Sequence, residues 1–287
     1  MSLNNFTPAL WSAKLFVNLR KTLVARSIVN MDYEGEIRQF GDRVKINEIG
    51  PITINDYTKY ADLTFQQLTS AQKELVIDQA KSFSFEVDDV DKAQNKPAVM
   101  SGAMAQAAYD IGDTIDQYIL GLYAQAGVTN TTYMGSSASA ISVSSGNVIL
   151  TLSFMGRYLT EKNVPTANRW MVIPPWLHQK ILLAEIGGIS ASAVPKISTG
   201  PVVPGYVGQA LGFDFYVSNN AQSSATSVSA IMAGNNSAIS YAGQIESVEA
   251  LRLEKRFSDA VKGLYVYGSK VVRPDALGAG HFTEAAG

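Results

Sequence analysis

The sequence predicts an α+β fold on three observations. Strand-like and helix-like segments interleave without the regular alternation of a βαβ protein. Residues 33–90 contain short stretches of apolar residues at every second position, with a polar segment between them too poor in apolar residues to make a core. A single long amphipathic helix, 98–126, separates this region from a strand-rich second half. At 287 residues the chain exceeds the ~100–200 of one domain, so two domains, or one with a large insertion, are expected.

In chain order, Thr7-Pro8 starts a helix, because Thr caps free amides and Pro sits where a missing N–H has no partner to lose. Trp11, Leu15, Leu19 and Leu23 then recur every four residues as one apolar stripe. Lys14, Arg20, Lys21 and Arg26 share the segment and no acid precedes Asp32; they read as the solvated face of that helix, with a nucleic-acid-contacting arm as the alternative. In "GDRVKINEIGPITINDY", Val44 and Ile46 alternate with Arg43, Lys45 and Asn47. After Gly50-Pro51, Ile52 and Ile54 alternate with Thr53 and Asn55. This reads as a hairpin turning at Gly50-Pro51. Leu75 with Ile77, and Phe83 with Phe85 and Val87, mark two further strands, and "YADLTFQQLTSAQKE" is polar. The region is expected to be an extended β arm.

The helix 98–126 places Met100, Met104, Ala108, Ile111, Ile115, Tyr118 or Ile119, and Leu122 on one face, with Asp110, Asp113 and Asp116 on the other. Gly102, Gly112 and Gly121, each costing about 1 kcal/mol against Ala in a helix interior, point to close packing on a sheet. "GVTNTTYMGSSASAISVSSGN" reads as loop or weak edge strand, and 148–159 as a helix capped by Asn147 or Ser145. A buried strand, 170–173, passes sharply into a helix begun by Pro175. Residues 187–212, rich in Gly, Pro and Ser, read as a long loop. "FDFYVSNN", "SVSAIMAG" and "VEALRLEK" are strands, with "NNSAISYAGQ" a short helix or turn among them. "GLYVYGSKVVRP" is the last strand before a proline break and a tail.

Composition narrows the function. A net charge of −2 with 17% charged residues argues against a protein that binds by neutralising phosphates. The absence of cysteine removes disulfides, thiolate metal sites and cysteine nucleophiles together. The start "MSLNNFTPALWSAKLFVNLRK" lacks the pattern of a secretory signal. The longest helix carries too many acids for the ~20 lipid-facing residues of a membrane span. A cytosolically made protein without a membrane segment is expected. His178 and His281, the two histidines, have no metal-ligand neighbours and no G-x-S-x-G elbow; His178 reads as a surface residue and His281 as part of a mobile tail. "GYVGQALG" and "LGAGHFT" lack the residues of phosphate-binding loops. "EVDDVDK" gathers Glu86, Asp88, Asp89 and Asp91 without EF-hand spacing, as a solvated strand end or a partner for a basic patch on a neighbouring subunit. No catalytic, cofactor or metal site is expected.

The order of the pieces carries more. An amphipathic N-terminal segment leads into "VNMDYEGEIRQFGDRVKINEIGPITINDY"; then follow "FSFEVDDVDKAQ", the helix with "YDIGDTIDQYIL", "RWMVIPPWLHQKIL", "LGFDFYVSNN" and "RFSDAVKGLYVYGSKVVRPDAL". This succession, over nearly the whole chain, resembles the major capsid proteins of tailed double-stranded DNA bacteriophages, with the HK97-like fold, and especially those without a fused scaffolding segment. The resemblance implies an N-arm at 1–32 and an extended-hairpin E-loop at 33–78 lying on a neighbour. It implies a P domain with its spine helix at 79–127, an A domain at 128–254, and a return to the P domain with a C-terminal tail at 255–287. Arg43, Val44, Lys45, Ile46, Gly50, Pro51, Ile52 and Ile54 then become expected intersubunit contacts.

The implied protein is structural and not an enzyme. Copies of it assemble through pentamers and hexamers into an icosahedral virion shell, made in the host bacterial cytoplasm. Its implied partners are a portal protein, a separate scaffolding protein, a decoration protein, and double-stranded DNA enclosed without sequence-specific binding. Some relatives crosslink an E-loop lysine to a neighbour's asparagine; Lys45 and Lys59 are available, but no matching partner or catalytic acid is found by motif, and no covalent chainmail is expected. Two other readings stand beside it: an encapsulin-like compartment shell, which needs an inner cargo-peptide groove, and an α+β enzyme using Asp110 and Asp113.

Overall fold

The computed structural model describes residues 20–32, 43–50, 52–54, 56, 59, 66–67, 70–88, 98–186, 205–221, 223–225, 227–253 and 257–285. The Thr7-Pro8 helix and residues 187–204 of the expected 187–212 loop lie outside these. Leu23, expected on that helix, is in irregular chain just before the four-residue helix α1 (Ala25–Ile28).

The arm region departs from a local hairpin. Strand β1 (Arg43–Ile49) is present, but its partner is β2 (Ser70–Val76), paired antiparallel with Val44 opposite Leu75 and Ile46 opposite Lys73. Ile52 and Ile54 belong to no strand, and Pro51 lies outside the described residues. After a two-residue corner, β3 (Gln79–Asp88) carries the expected Phe83/Phe85 alternation.

The long helix α2 (Ala98–Leu120) runs on into a 3-10 turn, Gly121–Gln125, so the extent read from periodicity is reproduced. It lies beside a three-stranded antiparallel sheet in the order β10 (Ile239–Arg252), β11 (Ser258–Val271), β3. β10 corrects the sequence reading of 235–244 as a helix or turn. Only residues 236–238 turn; Ile239, Tyr241 and Ala242 are buried strand positions.

The second half of the core is a seven-stranded mixed sheet. Its members in chain order are β4 (Ile141–Val143), β5 (Arg169–Ile173), β6 (Tyr206–Ala210), β7 (Phe213–Val217), β8 (Ser223–Ala225), β9 (Val228–Asn235) and β12 (Leu277–Glu284). β4 is the expected edge strand. β6 falls within the expected 187–212 loop but is a strand, pairing antiparallel with β7. Helices α3 (Val148–Glu161) and α4 (Pro175–Ile186) pack on each other, and α3 contacts β12. Every residue of β5 is buried, and Pro174 alone separates it from α4, where Pro175 takes the first helical position. Asn147 occupies the N-cap position of α3, but its Oδ1 accepts the Ser144 N–H at 2.8 Å instead of capping the helix.

The largest correction is at the C-terminus. Residues 277–284 are not a tail but the strand between β4 and β9, with Leu277, Ala279 and Phe282 buried. His281 is half-buried there, against the Tyr123 ring, and burial lowers its pKa. His178 is likewise half-buried rather than on the surface, and its pKa is lowered for the same reason.

Candidate functional site

The β1/β2 ribbon holds most of the expected contact residues, and the structure divides them. Val44 is buried with Leu75, Ile77, Ala242 and Val266 in a small core separate from the main one, and Ile46 packs against it. These two positions root the ribbon on its own three-stranded sheet, so Val44 is not open to a neighbour. Lys45 points to solvent. Arg43 is exposed and pairs with Glu74 across the ribbon at 3.3 Å, an exposed ion pair worth ~1 kcal/mol or less. Beyond Gly50, Ile52 is 66% exposed and Ile54 94% exposed. Two branched apolar side chains stand in water at the far end of a ribbon whose root is buried.

A second cluster escaped the sequence reading. Arm residues 20–25 cross α2 through a chain of polar contacts centred on Asp116, which is only 1% exposed. Asp116 Oδ1 accepts the backbone N–H of Val24 at 2.8 Å and of Ala25 at 2.7 Å. Asn220 Nδ2 donates to Asp116 Oδ2 at 3.0 Å and to Asp113 Oδ1 at 2.6 Å. Lys21 Nζ donates to Asn220 Oδ1 at 3.0 Å and pairs with Asp113 at 3.4 Å, while the Lys21 N–H donates to the Tyr109 hydroxyl at 2.7 Å. Asp116 was expected on the solvated face with Asp110 and Asp113. It stands instead one turn from Gly112 and three residues from the buried Ile119, and that spacing was the available signal. A Cβ at Gly112 would stand 2.8 Å from Leu23 Cδ1, so the glycine admits the arm to the helix.

Burial pushes the Asp116 pKa above its ordinary 3.8; the bonds from Ala25, Asn220 and Val24 oppose the shift and Asp113 adds to it. Lys21 and Arg26 from the arm, Asp113 from α2, and Tyr241 and Tyr265 from the three-stranded sheet are the titratable groups around it. A raised folded-state pKa means that the folded protein holds this proton more tightly than the unfolded chain does. The group's favourable contribution is therefore complete below the ordinary carboxylate range and is lost as pH rises through the raised value. Asp116→Asn is expected to gain thermal stability relative to the parent as pH rises from about 4 to 7. Melting curves of both proteins across that range check the sign; a relative loss with rising pH would show that the hydrogen bonds outweigh burial.

Elsewhere chemistry is sparse. Among the described residues no group of three or more His, Asp or Glu is placed to hold a metal ion, and no helix is long and apolar enough to cross a membrane. Asp110 is an exposed hydrogen-bond acceptor for Gln106, and Asp113 belongs to the arm cluster, so the two do not converge on a cleft with a nucleophile. Glu86 is exposed, and Asp89 and Asp91 lie outside the described residues.

A family model described as phage capsid protein matches residues 72–279, well over half of the chain. The chain belongs to the phage capsid protein family. Its fold is that of solved relatives along almost its entire length. A chain from Mycobacterium phage Che8 is 27% identical with a TM-score of 0.75, over 97% of this chain and 98% of that one. The capsid structure of cyanophage P-SCSP1u is 16% identical with a TM-score of 0.70, over 99% of this chain and 94% of that one. The capsid of Ralstonia phage GP4 is 13% identical with a TM-score of 0.61, over 99% and 97%. No curated protein matches the sequence. Family and fold together make this a structural major capsid protein of a tailed phage with the HK97-like α+β fold, located in the virion capsid. They favour that reading over the encapsulin-like shell.

Proposed function

We propose that copies of this capsid protein assemble through pentamers and hexamers into an icosahedral shell around double-stranded DNA, and that the β1/β2 ribbon joins each copy to the next. The observation that carries this is the exposure of Ile52 and Ile54 beyond a ribbon rooted in its own sheet. Covering them on a neighbour is worth about 2 kcal/mol per side chain, and repeating a modest contact around closed symmetry yields a stable yet correctable shell. Arg43 and Lys45 set register through charge more than they add affinity. Gly50 follows the end of β1, and Pro51, also expected at this interface, lies outside the described residues.

In this reading 1–32 is the N-arm, 33–78 the E-loop, 79–127 the P domain with α2 as spine, 128–254 the A domain, and 255–287 the return. Sheet membership supports moving β10 into the P domain and β12 into the A domain. The protein works without catalysis, is assembled in the host cytoplasm with a separate scaffolding protein, and is joined by a portal and a decoration protein. The shell is held without covalent crosslinks. A net charge of −2 suits a container that must release its DNA.

Replacing Ile52 and Ile54 together with Asp is the test. The variant is expected to be a folded, soluble protein that sediments as a monomer or small oligomer and closes no shells by electron microscopy, with parental melting behaviour. Normal particles from it would refute the ribbon's role.

A further inference from the structure

The first described residues change character within a few positions. Arg20 and Lys21 are exposed, whereas Val24, Ala25, Ile28 and Val29 are buried in the main core. Asp116 lies at that transition. Its Oδ1 holds the first two amides to enter the body, and its Oδ2 shares Asn220 with Asp113, which in turn holds the Lys21 ammonium. Three separate parts of the chain meet there: the arm, α2, and the turn after β7, where Ser218 also bonds Asn220 N–H at 3.1 Å. A neutral apolar side chain at 116 would pack, but would leave two buried amides without acceptors. A carboxylate with bonds on both oxygens also fixes the backbone's direction, which apolar packing alone does not.

We propose that Asp116 is the positioning residue of the N-terminal arm, fixing where and in what direction residues 20–25 cross α2 and hence which neighbouring copy the arm reaches. This rests on the reading of 1–32 as an arm that contacts a neighbour. Apolar burial of Val24 to Val29 keeps the segment attached. The Asp116 contacts orient it, and Lys21 extends that orientation to the surface.

Hydrogen exchange read by mass spectrometry over residues 20–29, with electron microscopy of assembled particles, tests this on the full chain. Asp116→Asn keeps one acceptor oxygen for Val24 and Ala25 but turns an amide N–H toward Asn220 Nδ2, and is expected to retain protection at those two amides. Asp116→Ala is expected to speed exchange at Val24 and Ala25 about tenfold or more, to leave β5 protected, and to give malformed particles or none. Parental exchange at those amides, or normal particles despite lost protection, overturns the proposal. Should Asp116→Ala fail to fold, Lys21→Met at the exposed rim decides. It is expected to speed exchange at 20–23 and impair closure at an unchanged melting temperature; parental behaviour in both overturns the proposal. A chain lacking residues 1–19 that still closes normal shells would sink the arm reading itself, a failure distinct from loss of the anchor.

Discussion

Ending the chain at Ala276, so that β12 is missing, is expected to yield protein that does not fold. The strand lies inside the seven-stranded sheet, pairing parallel with β4 on one side and antiparallel with β9 from Leu277 opposite Gly234 to Thr283 opposite Val228 on the other. Its loss strips those ladder bonds from β9, leaves β4 without a partner and uncovers the core beneath Leu277 and Phe282, both fully buried. Phe282→Ala alone is expected to cost about 3–5 kcal/mol, from lost transfer energy and the cavity left behind. A domain whose total stability is roughly 5–15 kcal/mol tolerates little more than that. Denaturant unfolding of Phe282→Ala and solubility of the truncated chain are the measurements. A truncated protein that stays soluble and unfolds cooperatively would mean that β12 is dispensable.

The reason the sequence reads there as a tail is physical. "LGAGHFTE" contains no Val or Ile and two glycines, so its intrinsic strand preference is poor, and it is held by the sheet on both sides. Elements with a strong local signal are legible: the α2 periodicity, the run Trp170 to Ile173 followed by Pro175, and the alternation of Phe83 and Phe85. Elements decided by distant partners are not. Periodicity pairs β1 with the nearest period-two stretch, Ile52 to Ile54, although its partner begins at Ser70. "NNSAISYAGQ" looks like a turn because it starts with one, yet its latter part is strand paired to β11. The candidate site divides in the same way. Exposed isoleucines on a polar arm are visible in composition. A buried Asp116 is hidden in a helix where acids recur at every third position from Asp110 to Asp116.

Gly268→Val is expected to detach the arm from the body. Gly268 lies on β11 opposite Ala242, and the corner between β2 and β3 passes directly over it. A Cβ there would collide with the Val76 carbonyl and stand 3.0 Å from Ile77 Cα. Both obstacles are backbone, so no side-chain rotation relieves them, and the corner itself must lift. Lifting it separates Val44, Leu75 and Ile77 from Ala242 and Val266, the buried residues of the small core that roots the ribbon among the described residues. Overpacking together with that loss is expected to cost about 3 kcal/mol, and Gly268→Ala about half as much. The assembly defect should exceed the stability defect. The strands of the seven-stranded sheet take no part in this corner, although Tyr267 beside Gly268 belongs to the main core, while Ile52 and Ile54 lose the fixed support that aims them at a neighbour. Melting curves and electron microscopy of the same preparations separate the two effects. Parental melting with normal particles for Gly268→Val would show that the corner yields freely and that the ribbon's direction does not depend on this contact.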